Sequence, residues 1–153
     1  MSSTTTATGT EYIAGIRAKL IDIRNELMAE VALAMRDSLQ AGKEIAQERI
    51  ELSTTQTGRD RAAQGGRPGR IETGDYIDDF DHQIYQLDRD RMQGRFGWLE
   101  GGWSANAFDG TYIELQEEGF QNVPGVHALL EASEVAKAEF RDRLTRYVQR
   151  EFS

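Results

Sequence analysis

Residues 11–52, EYIAGIRAKLIDIRNELMAEVALAMRDSLQAGKEIAQERIEL, decide the fold. Apolar residues fall at Ile13, Ile16, Leu20, Ile23, Leu27, Val31, Met35 and Leu39, with Ile45 following. Steps of three and four trace one stripe along a helix. Thr10 is placed to cap its start and Gly58 to stop it. Gly15 and Gly42 weaken such a helix by about 1 kcal/mol each relative to alanine. A continuous helix over 11–52 would run about 63 Å at 1.5 Å per residue. A compact domain of this size is only about 30 Å across. The helix therefore either breaks near Gly42 or projects, so that its outer part packs on another chain.

Working outward, residues 1–10 are rich in Ser and Thr and read as a flexible N-terminus. Residues 58–70, GRDRAAQGGRPGR, read as a flexible Gly/Arg loop carrying Arg59, Arg61, Arg67 and Arg70. Thr73 is a cap for a short helix with Tyr76, Ile77 and Phe80. Two strand-like runs follow, near His82–Leu87 and Met92–Leu99, joined by a turn at Asp88-Arg89-Asp90-Arg91. Trp103 to Asp109 reads as a loop, and Asp109 as the cap of a short helix around Tyr112–Glu118. Gly119 is expected to end that helix with a positive φ, with Tyr112 packed under it. Pro124-Gly125 marks a turn. The last helix, about Val126–Phe152, presents Leu129, Leu130, Phe140, Leu144, Tyr147 and Val148. Its interval from Ser133 to Glu139, polar and Ala-rich, implies partial burial. The expected fold is α+β: a long N-terminal helix, a small antiparallel sheet, a short helix and a C-terminal helix, forming a single domain over 11–153.

Composition narrows the function. The 153 residues hold enough apolar side chain for one modest core. With no Cys, disulfides and thiolate metal sites are excluded. The polar start and the lack of any apolar run of membrane length predict no leader and no membrane partner, and a protein that begins in a cytoplasm. The net charge of −8 is uneven: residues 71–132 carry three basic and thirteen acidic groups, whereas 58–70 carry four Arg against Asp60. Tight duplex binding needs a broad basic face, and the acidic segment argues against it.

Candidate chemistry fails position by position. Asp75, Asp78, Asp79, Asp81 and His82 could offer oxygen ligands to a cation. Calcium-loop spacing puts Ile77 and Gln86 where ligands belong, so a solvated acidic face is the better account. His82 and His127 lack patterned partners, and no Gly-x-Ser-x-Gly elbow is present. Gly65-Gly66-Arg67-Pro68-Gly69-Arg70 lacks the Lys-Ser/Thr ending of a phosphate loop. Trp98 and Trp103, with Phe96 nearby, suit packing better than stacking on bases or sugars. The expectation is a non-enzymatic protein with no catalytic residue, no metal and no cofactor.

Four stretches together resemble the neck or tail-completion (head-tail joining) proteins of long-tailed bacteriophages. Glu72-Thr73-Gly74-Asp75-Tyr76 looks like the family's Thr-Gly start of a short helix before the sheet. Gly94-Arg95-Phe96-Gly97-Trp98 is similar to its glycine-containing central strand. Tyr112-Ile113-Glu114-Leu115-Gln116-Glu117-Glu118-Gly119 resembles its aromatic-led segment ending in Glu-x-Gly, and Pro124 to Ala132 its Pro-led entry to the last helix. Phe120 stands where the family often has Thr, and Asp75-Tyr76 where an aliphatic residue is common.

The resemblance implies a structural virion protein, made in the host cytoplasm, that forms a ring in the phage neck or at the tail top. It implies self-association, sixfold in preference to twelvefold, with neighbouring connector and tail proteins above and below. Contact with DNA in the channel would be transient at most. The alternatives are a tail terminator or head-closure ring, or a non-viral protein-binding module. Partner contacts are expected from Ile16 and Leu20 on the long helix and from the four Arg of 58–70, the latter ordering on an acidic neighbour.

Overall fold

The computed structural model describes residues 9–53, 55–66, 75–99 and 110–153. Helix α1 runs unbroken from Gly9–Leu52, 44 residues and about 66 Å. It passes through Gly42 without a break. The α+β expectation holds, with helix dominating: α2 (Gln56–Ala63), α3 (Asp75–Asp78), strands β1 (Phe80–Asp88) and β2 (Arg91–Trp98), α4 (Gly110–Glu118), the two-residue strands β3 (Gly119–Phe120) and β4 (Val123–Pro124), and α5 (Ala128–Phe152).

The inner half of α1 packs on α5. Gly42 explains the closeness of this contact. A Cβ at Gly42 would lie 3.0 Å from the Ala132 carbonyl oxygen and 3.2 Å from the Ala136 Cβ. Ala34 and Ala46 on α1, and Ala128, Ala132 and Ala136 on α5, are buried. Small side chains bring the two backbones near, and dispersion contacts accumulate along the seam. The sequence expectation for α5 is thereby corrected. Its Ala-rich interval is the tight part of the packing, while Leu129, Leu130 and Val148 are exposed. Arg143 ties the seam further, reaching Asp37 at 3.0 Å and Glu139 at 2.7 Å.

Strands β1 and β2 form an antiparallel hairpin, regular from Phe80↔Trp98 to Gln86↔Met92 and shifted in register at the turn. Alternation sends Phe80, His82 and Ile84, with Met92, Phe96 and Trp98, toward the helices. Their ends build an aromatic cluster. Tyr76 stacks on Trp98 at 5.0 Å, Phe80 meets Trp98 edge-on at 5.0 Å, and Phe96 lies 6.0 Å from Phe80. The Trp98 indole N–H donates to the Tyr76 carbonyl at 2.8 Å. With Ala46, Ile50, Ile77, Val126, Ala128 and Ala132 this is the core, and it sits at the C-terminal end of α1.

Glu117 joins α4 to α5. Gly119 ends α4 at φ +91°, the positive value expected of it. The freed carbonyls of α4 are taken up by the next segment: Val126 N–H donates to Gln116 at 2.9 Å and His127 N–H to Glu117 at 3.3 Å. The buried Glu117 carboxylate then accepts from the N–H groups of Ala128 (3.2 Å) and Leu129 (2.9 Å) and from the Tyr76 hydroxyl. It thus satisfies orphan donors at the start of α5, where negative charge is favoured. His127 occupies the cap position in left-handed geometry with no capping bond of its own.

Several local expectations are corrected. Residues 58–63 are helical, not loop, because Thr55 caps α2 by accepting from Gly58 N–H at 3.1 Å, and Arg, Gln and Ala propagate it. Gly58 accordingly lies buried inside α2, while α1 stops at Leu52. The turn at 124–125 falls instead at Gln121-Asn122, with Pro124 in β4 and α5 starting at Ala128. Thr10 lies within α1 and does not cap it. The roles expected of residues 1–8, Thr73, Trp103 and Asp109 lie outside the described residues, as does the side chain of Tyr112.

Three substitutions test this frame by chemical denaturation. Gly42→Val should destabilise the chain by about 1–3 kcal/mol through forced separation of α1 and α5. Gly15→Ala, where a new Cβ meets nothing within 4 Å, should stabilise it by up to about 1 kcal/mol. Glu117→Ala should cost about 1–3 kcal/mol, since it leaves two helix-start N–H groups and a buried tyrosine hydroxyl without their acceptor. A neutral result would deny Glu117 its joining role.

Candidate interaction surface

Arg24 on α1 pairs with Asp90 in the hairpin turn at 3.7 Å. Every residue from Thr10 to Ile23 is exposed. Residues 9–23 thus make a helical arm about 22 Å long. Six large apolar side chains stand on it: Tyr12, Ile13, Ile16, Leu20, Ile21 and Ile23, with Ile13 65% and Leu20 61% exposed. A shallow groove on the arm is walled by Ile13, Ile16, Leu20 and Ile21 and rimmed by Arg17 and Arg24. Exposed apolar surface gathered this way is uncommon on single-chain proteins, where large side chains are mostly buried.

Ile16 and Leu20, expected to contact a partner, sit together on one face of this arm. Arg59 and Arg61 are on α2, a separate element. Arg67 and Arg70 lie outside the described residues. Tyr12 and Ile21 extend the apolar face beyond the expected stripe. Both sit beside a stripe residue, and that adjacency was the available signal: a side chain next to a stripe position widens the face by a further sector.

The hairpin offers a second kind of surface. Its outer face, Asp81, Gln83, Tyr85, Leu87, Gln93 and Arg95, is exposed. The Arg95 guanidinium lies over the Tyr85 ring at 5.5 Å. Strand β1 carries Asp81 and Asp88 and no Lys or Arg; β2 carries Arg91 and Arg95 and no Asp or Glu. Partial burial pushes the Asp81 carboxyl up, but the His82 N–H and Lys43, 3.1 Å away, outweigh it and hold its pKa below the usual value. The Asp90 N–H and Arg91 likewise hold Asp88 low. Both β1 carboxylates therefore stay ionised.

Among the described residues, no cluster of three His, Asp or Glu is placed to hold a metal ion, and no helix is long and apolar enough to cross a membrane. A mixed cleft between α1 and α5 is lined by Glu30, Asp37, Glu139, Arg143, Arg146 and Arg150 around Leu33 and Tyr147. Opposite charges face each other there, so it favours no one sign of ligand. No family model, no curated protein and no solved structure matches this chain.

If the arm is a docking surface and not part of the fold, Ile16→Asp and Leu20→Asp should leave the free chain's unfolding free energy within about 0.5 kcal/mol. Phe80→Ala, in the core, should cost about 3–5 kcal/mol. Equal losses from arm and core substitutions would show that the arm folds back in solution.

Proposed function

We propose that this chain is a structural subunit of a long-tailed phage particle. It is a neck or tail-completion protein that closes into a ring, sixfold in preference to twelvefold, between the head connector and the tail. It makes and breaks no covalent bond. The observation that carries the assembly role is the arm: six large apolar side chains project from the body on a rigid helix with nothing of their own chain to cover them among the described residues. Burying a side chain of this kind fully is worth about 1.5–3 kcal/mol. A second copy is the occupant we favour, because a ring requires each subunit to present two different complementary surfaces. The arm supplies one and the body of the next subunit the other.

The phage assignment rests on the motifs resembling the neck family, and the charge distribution is compatible with it. Residues 71–132 are strongly acidic. An acidic wall lets duplex DNA slide past without the counterion release that makes it stick. Connector and tail proteins on either side of the ring are the remaining partners. Any contact of Arg59 or Arg61 is assigned to these protein neighbours in preference to DNA, since so few phosphate contacts give weak binding at physiological salt.

Native mass measurement over a concentration series tests the assembly role. The wild-type chain should form a closed species of one stoichiometry, and the triple variant Ile13→Asp, Ile16→Asp, Leu20→Asp should remain monomeric with an unchanged circular-dichroism spectrum. Peptide mapping of purified virions tests the location: the chain should be present in a few copies per particle and visible as a ring at the neck. Ring formation without the chain in any virion would sink the phage assignment and leave the assembly role intact.

A further inference from the structure

We propose that the two open edges of the β1–β2 hairpin pair between copies, β1 of one subunit against β2 of the next, so that one antiparallel sheet continues around the assembly. This rests on the assembly role above and names the contact that orients the subunits. Among the described residues β1 pairs only with β2, and the sheet has two strands. In an antiparallel pair, alternate residues of each strand direct N–H and C=O away from the partner. Each strand thus keeps one row of such groups facing outward. Two-stranded sheets are marginal by themselves, and a further strand is the natural way to complete them.

The strands lack the usual guards against edge pairing. Neither contains Pro or Lys, and the ladder is regular over Phe80–Gln86 and Met92–Trp98, its one register shift lying at the turn end. Charge then selects which edges meet. A β1–β1 contact would set Asp81 and Asp88 against their own copies; a β2–β2 contact would do the same with Arg91 and Arg95. A β1–β2 contact sets acid against base. Lys43 already lies beside Asp81 and Arg91 beside Asp88, so the contrast excludes like pairs and sets orientation more than it adds affinity.

Head-to-tail contact of two unlike surfaces generates a ring when the rotation closes. Simple rotation about a ring axis also keeps the geometry right. Successive hairpins point the same way, so β1 of one copy runs opposite to β2 of the next, which is the antiparallel sense the hairpin already uses.

The chain has no Cys, so single cysteines report cleanly. Gln83→Cys and Leu87→Cys place a thiol on the outer face of β1, and Gln93→Cys places one on β2. Residues opposite each other across an antiparallel pair bring their Cβ atoms to about 4.5–5.5 Å, close enough for some pairs to bridge. Each β1 variant, mixed with differently tagged Gln93→Cys protein and mildly oxidised in the assembled state, should give mixed dimers in excess over either self-dimer. In the cysteine-free wild type, hydrogen exchange of β1 and β2 edge amides should slow by about tenfold or more on assembly. Self-dimers equal to mixed dimers, or edge amides that exchange equally fast in a fully assembled ring, would overturn edge pairing while the subunit role stands. A chain that stays monomeric at every concentration would overturn both.

Discussion

The close crossing of α1 and α5 at Gly42 sets the rest of the molecule. With no Cβ on Gly42, the Ala132 carbonyl and the Ala136 methyl approach the α1 backbone directly. Buried alanines above and below extend that approach into a seam. The seam fixes where the hairpin can lie, since both strands pack on α1 and the bases of those strands supply Phe80, Phe96 and Trp98 to the core. Widening the seam by one methyl would move the platform that the hairpin and its aromatic cluster rest on. Packing at native density leaves little room to absorb such a shift.

A second constraint is electrostatic and local. Helix α5 begins without a side-chain cap from His127, so its first N–H groups depend on Glu117 from α4. The same carboxylate accepts from Tyr76, which stacks on Trp98. One acidic side chain therefore links the hairpin base, the short helix and the last helix. Burying a charge is costly unless its lone pairs are met, and three donors meet them here.

Much of this was legible in the sequence, for physical reasons that also explain what was not. The 3.6-residue period of 11–52 revealed α1, and comparing its length with the domain diameter left two outcomes, a break near Gly42 or a projecting part. Period-two alternation and the Asp-Arg-Asp-Arg turn revealed the hairpin. Helix α2 was hidden because its composition is that of a loop; the Thr55 cap three residues before Gly58 outweighs the glycine. The packing face of α5 was hidden because alanine carries little hydrophobic signal. Its burial depends on how near a partner helix can come, and that was decided by Gly42, 86 residues away from Ala128. Glu117 and Glu118 are indistinguishable as letters, and only the helix geometry turns one inward. Ile16 and Leu20 were identifiable as surface residues by the length argument, whereas the open strand edges are backbone features that no side-chain pattern announces.

The arm and the open hairpin also share a physical logic. The arm sits away from the core, which lies at the C-terminal end of α1 and takes in the base of the hairpin. Among the described residues, the core holds the inner half of α1 and the base of the hairpin, and neither the arm nor a third strand packs on it. The incomplete burial is therefore directional. Among the described residues, it leaves one apolar rod at the outer end of α1 and two strand edges of opposite charge. Two surfaces that differ from each other suit a head-to-tail contact, in which each meets its complement on a neighbour. Repeating such a contact would propagate in one direction. In the ring proposed above, each added neighbour would bury more of these surfaces, and closure would remove the two unfilled ends that an open chain keeps.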